Sequence, residues 1–129
     1  MFTRVSQMIL IGDENIKYEE IEKINAISDI QSTSSNSTVL YSFDFEILRY
    51  TQENNIASAV VTKNLQEVIY ASSFDVKYII VTKGIAKAAQ NIANNYMLDS
   101  KILAIIETSE EIVENAIHEI DGVIYKKVI

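Results

Sequence analysis

Six short apolar runs, rich in β-branched residues and separated by longer amphipathic segments, constrain this chain more than any other feature of its sequence. They are MILIG (8–12), TVLYSF (38–43), ASAVV (57–61), YIIVT (78–82), KILAII (101–106) and GVIY (122–125). A strand with one wet face alternates apolar and polar side chains, whereas a run that is apolar at consecutive positions has both faces covered. Between the runs, apolar residues recur at helical spacing. Leu65, Val68, Ile69 and Ser72 share one predicted face, and Ile85, Ala88, Ala89, Ile92, Ala93 and Tyr96 share another. Ile112, Val113, Ala116, Ile117 and Ile120 make a third, and FEILRYTQENN predicts a shorter helix.

Strand followed by helix, repeated, predicts a parallel sheet between helical layers. The expected fold is therefore a single α/β domain spanning residues 1–129, a three-layer αβα sandwich whose mainly parallel sheet has five or six strands, flavodoxin-like or Rossmann-like. The stretch from Ile16 to Ile30 fits either a helical face or an extended strand, and QSTSSNS (31–37) reads as a polar loop. Part of a (β/α) barrel is the architectural alternative, but 129 residues fall short of the roughly 250 usual for a full barrel, so it would have to be a dimerising half-barrel.

Right-handed crossovers put the residues that follow each strand on one edge of the sheet. ILIGDEN (9–15) ends the first run in Asp13 and Glu14, and VVTKN (60–64) and IVTKG (80–84) repeat a Thr-Lys pair at strand ends. Asp44, Glu107 and Thr108 join the same edge. Carboxylates there suit a hard cation such as magnesium, so Asp13 and Glu14 are the candidate metal ligands. Thr82, Lys83 and Gly84, opening a helix, are candidates to hold an anion. The competing reading is helix capping: Asn64 with Glu67, and Thr108 with Glu111, have the cap-x-x-Glu form, and Asp44 precedes a helix.

Composition narrows the chemistry. With no cysteine there is no disulfide, no thiolate nucleophile and no cysteine-bound metal, and one histidine, His118, leaves a single imidazole base. Three glycines form neither a GxGxxG fingerprint nor a P-loop. A net charge of −7 opposes binding to nucleic acid or an anionic membrane. No apolar stretch nears the roughly 18–20 residues that span a bilayer, and MFTRVSQ lacks the plan of a signal peptide, which together point to the cytoplasm.

ILIGDEN also resembles the opening of a response-regulator receiver domain, where paired acids after the first strand help to bind magnesium. The resemblance implies a switch threonine at Thr82. It departs where the phosphoacceptor aspartate would end the third strand, since Thr62 and Lys63 stand there, and where lysine-proline would follow the fifth strand, which ends IIET.

Two functions follow as expectations. The first is a non-enzymatic interaction or regulatory module that binds a protein partner or itself, with a homodimer as the simplest form and GVIYKKVI (122–129) as an edge strand open to pairing. The second is a magnesium-dependent phosphate or nucleotide binder, a degenerate receiver among its forms. The cofactor is accordingly none or Mg²⁺.

Overall fold

The computed structural model describes residues 7–129, so MFTRVS, which carries most of the argument against a leader segment, lies outside the described residues. Seven strands form one sheet: β1 (Ile9–Ile11), β2 (Ile21–Lys23), β3 (Thr38–Ser42), β4 (Ser58–Val61), β5 (Tyr78–Val81), β6 (Lys101–Ile106) and β7 (Gly122–Tyr125). The helices are α1 (Phe45–Glu53), α2 (Leu65–Ser72), α3 (Lys83–Asn95) and α4 (Glu111–Ile117), with 3₁₀ turns at Ile27–Ser32 and Lys126–Val128. The expected class holds: this is an α/β protein with a parallel sheet flanked by helices. The sheet has seven strands rather than five or six, because the ambiguous stretch after Ile16 supplies β2.

The sheet order is β1-β7-β6-β5-β4-β3-β2, every pair parallel. From β2 to β7 each right-handed crossover steps one strand in the same direction, which places successive helices on the same face. The packing agrees. Buried residues of α1 (Ile47, Leu48), α2 (Val68, Ala71) and α3 (Ala86, Ala89, Ala93) join Val39, Val60, Ile79, Ile102 and Val123 in one cluster, and Ile112 of α4 packs against it. The opposite face forms a second cluster of Ile11, Leu40, Ala59, Tyr78, Ile80, Leu103 and Ile124, flanked by Val128 and Ile129 and by no α-helical residue. Curl of the sheet covers that face.

Chain length requires this curl. Six inter-strand spacings would hold β1 about 29 Å from β2 in a flat sheet. The nine residues between them reach about 30 Å only when fully extended, and they must also return from the carboxyl end of β1 to the amino end of β2. A turn closed by Ile16 N–H on Asp13 C=O shortens them further. The sheet bends instead, and its order becomes the cyclic order of a (β/α) barrel without β1–β2 pairing. Consecutive order also means no strand-order reversal, the feature that opens a crevice in doubly wound sheets.

Inside the curl, the half-buried Glu19 carboxylate accepts the hydroxyls of Tyr78 and Thr38 and the Lys77 ammonium, Thr38 and Lys77 both at 2.6 Å. Burial works against its charge, but the hydrogen bonds from Lys77, Thr38 and Tyr78 outweigh that and keep the carboxyl below its ordinary range. Burial and this same carboxylate push the Tyr78 phenol well up. On the helical side, buried Gln90 of α3 donates to the Asp121 carboxylate at 3.1 Å and accepts the Asp121 N–H at 2.8 Å, while that carboxylate also accepts Ile102 N–H. This network ties α3 to the amino ends of β6 and β7.

One sequence expectation is corrected here. GVIYKKVI is not an edge strand: β7 is paired on both sides, by β1 and β6, and Lys126–Val128 turns away as 3₁₀. The edges of the sheet are β1 and β2, each three residues long.

The β1–β7 pair is packed to its limit. A Cβ on Gly122 would lie 2.5 Å from the Ile9 carbonyl and 2.8 Å from a Leu103 methyl. Gly122→Ala should therefore lower stability by about 1–3 kcal/mol, read from the urea midpoint at unchanged m-value.

Candidate functional site

The carboxyl edge was the predicted location, and each residue there has a definite position. Asp44 caps α1, accepting Glu46 N–H at 2.8 Å and Ile47 N–H at 3.2 Å. Asn64 caps α2 by accepting Glu67 N–H, and Glu67 reaches back past it to accept Lys63 N–H. Glu111 accepts the N–H groups of Glu107 (2.7 Å) and Thr108 (3.0 Å), which hold its carboxyl below the usual range. Thr108 itself makes no side-chain cap. The buried Thr62 hydroxyl donates to the Ile80 carbonyl at 2.9 Å and so serves neither as cap nor as ligand.

Asp13 and Glu14 line a cleft of about 300 Å³ together with Glu107, Thr108, Tyr125 and Lys127. Asp13 uses both of its oxygens within the chain: Oδ1 accepts Asn15 N–H at 2.9 Å and Oδ2 accepts the Tyr125 hydroxyl at 2.8 Å. The Asn15 amide is the larger cause, Tyr125 the next, of a carboxyl pKa below the ordinary value, and Asp13 in turn raises the Tyr125 phenol. Gly12 permits the turn that leads there: its φ is +98°, and a Cβ would meet Val128 at 2.7 Å. Lys126 stands 3.5 Å from Glu107, a pair too exposed to contribute more than a few tenths of a kcal/mol.

Lys83 and Gly84 line a separate cleft of about 300 Å³ between α3 and α4, with Lys87, Glu114, Asn115 and the exposed His118. Thr82 precedes α3 without a side-chain cap. The candidate cation and anion residues thus face neighbouring clefts. Glu111 lines neither cleft but links residues of both, its Oε1 lying 3.6 Å from the Lys83 ammonium and its Oε2 accepting the Glu107 and Thr108 N–H groups at the rim of the first cleft. Among the described residues, no cluster of three or more His, Asp or Glu side chains is placed to hold a metal ion. No described helix is long and apolar enough to cross a membrane.

Sequence reasoning missed two features. Tyr125 was read only as strand, and its partnership with Asp13 spans 112 positions. A surface cluster of four aromatic rings joins the start of α1 to α2, Phe43–Phe45 at 5.0 Å, Phe45–Tyr70 at 5.1 Å and Phe45–Phe74 at 6.3 Å. Tyr70 and Phe74, four apart beyond a helical run, were the available signal. No family model matches this chain, and no curated protein matches it.

Tyr125→Phe should bring the Asp13 carboxyl back toward its ordinary pKa of 3.8 without abolishing the shift, because the Asn15 amide remains. Carboxyl-carbon NMR titration of both proteins checks this, and an unmoved midpoint would contradict the assigned cause.

Proposed function

We propose that this chain is a non-enzymatic cytoplasmic interaction or regulatory module that associates with itself through the exposed aromatic face of α1 and α2. The observation that carries the reading is that Phe45, Ile69 and Tyr70 are 40%, 52% and 46% exposed on adjoining helices, with the rings in edge-to-face contact. Contiguous apolar surface of this kind marks interaction sites, and tyrosine and phenylalanine are favoured in the centres of such interfaces. Support also comes from the carboxyl edge, where Asp44, Asn64, Glu67 and Glu111 are engaged in holding helix starts. The test is sedimentation equilibrium across a concentration series. Wild type should show a concentration-dependent dimer, and the double variant Ile69→Glu, Tyr70→Glu a monomer with unchanged circular dichroism. A wild-type chain that stays monomeric up to millimolar concentration would defeat self-association.

A second reading, a magnesium-dependent phosphate or nucleotide binder, is favoured by one observation: Asp13, Glu14 and Glu107 share a cleft with Lys127. In this reading Asp13 and Glu14 hold the cation, and Thr82, Lys83 and Gly84 hold the anion at the adjoining cleft. Magnesium titration should then give saturable amide shifts at residues 12–14 that Asp13→Asn removes, and phosphate should shift residues 82–84. Unshifted spectra at millimolar ligand would dispose of it.

A further inference from the structure

The inner apolar cluster is walled by strands except in one place. Of the partly buried residues packed against it, Ile9, Ile21, Val61 and Ile105 belong to β1, β2, β4 and β6, and the other two, Val128 and Ile129, follow β7. Val128 lies where β1 ends: its methyl is what a Cβ on Gly12 would strike, at 2.7 Å. Ile129 lines a cleft of about 180 Å³ with Lys23, Ser42 and Val61, the last residues of β2, β3 and β4, and with Leu40 of the inner cluster. From β7 to β3 is four strand spacings, about 19 Å in a flat sheet, whereas the four residues from Lys126 to Ile129 reach about 14 Å when fully extended and are partly coiled as 3₁₀. The segment therefore lies across the carboxyl mouth of the curl.

Its hold there is apolar. The Ile129 N–H bonds within the segment, to Lys126 C=O, and among the described residues no hydrogen bond ties residues 126–129 to another element. Lys126 and Lys127 are exposed, and the ion pair with Glu107 adds little. A segment with few apolar contacts and no long-range hydrogen bond opens at lower free energy than the core.

We propose that residues 126–129 are an autoinhibitory plug, which fills the carboxyl mouth with Val128 and Ile129 and withdraws while the sheet stays paired. Sheets of parallel βα units take ligands at the carboxyl ends of their strands, and this chain occupies that place with its own side chains. Withdrawal uncovers the carboxyl end of the inner cluster at Leu40 and leaves the helical cluster closed. The device is independent of the aromatic face of α1 and α2.

The cysteine-free sequence permits a clean test. Leu40 on β3 and Val60 on β4 are both buried, but Leu40 belongs to the inner cluster beside Ile129 and Val60 to the helical one. Single variants Leu40→Cys and Val60→Cys are exposed to a thiol reagent under native conditions, and the ratio of their rates is read, so that a change in global stability cancels. The position-40 thiol should react at least about tenfold faster, and adding Val128→Ser with Ile129→Ser should raise the ratio by roughly another tenfold. Equal rates at the two positions, matching global unfolding, would show that the mouth does not open and overturn the plug. A fast position-40 thiol whose ratio ignores the serine substitutions would mean entry by another route, and would overturn the assignment to residues 126–129. Should either variant fail to fold, Ile124→Cys and Val123→Cys on β7 repeat the comparison, being fully buried in the inner and helical clusters respectively.

Discussion

With Asp13 to Ile16 taken up in a turn, the nine residues between β1 and β2 are too few to cross a flat seven-stranded sheet, and the rest of this structure depends on that shortage. Because β1 must reach the amino end of β2, the sheet curls and its two edges approach. Its concave face then encloses Ile11, Leu40, Ile80, Leu103 and Ile124 without a helix to cover them. Fully burying one such side chain contributes about 1.5–3 kcal/mol, so an inner row of this size is a major part of the stability. The crowding shows at Gly122, where no side chain fits between Ile9 and Leu103.

The same topology gathers polar residues at the carboxyl ends of the strands, where they have local work. Each helix start leaves backbone N–H groups without partners, and a capping side chain contributes about 1 kcal/mol. Asp44 and Asn64 meet that need, while Glu67 and Glu111 hold the N–H groups of the turns that lead into α2 and α4. Asp13 is different: it organises its own turn and takes a hydroxyl from the far end of the chain, joining β1 to β7 beyond their last ladder bond.

Six of the seven strands were legible in the sequence to within one or two residues, since covered parallel strands need continuous apolar runs; β2, three residues at an edge, has no such run and was not. The faces of the helices were less so. In α4 the expected stripe places Val113 and Ile117 inward, yet they are 63% and 72% exposed, while Asn115 is buried with its amide donating to Glu111 C=O. Two turns of helix touch the sheet along a narrow strip, and a satisfied amide serves there as well as a methyl group. Tyr96 also lies outward, because α3 ends at Asn95 and Tyr96 is its cap. Ile69 turns to solvent beside the aromatic rings.

By itself the sequence determined the βα repeat, the two-sided burial of the strands and the caps at Asp44 and Asn64, because each depends on residues within a few positions of one another. Only the tertiary structure decided that β7 lies inside the sheet, that Tyr125 meets Asp13, that Glu19 meets Tyr78, and that the Asp13 and Lys83 groups face two clefts. Those meetings depend on strand order and on curl. Both were settled by the reach of one connection and the packing of the whole sheet, which no local pattern encodes.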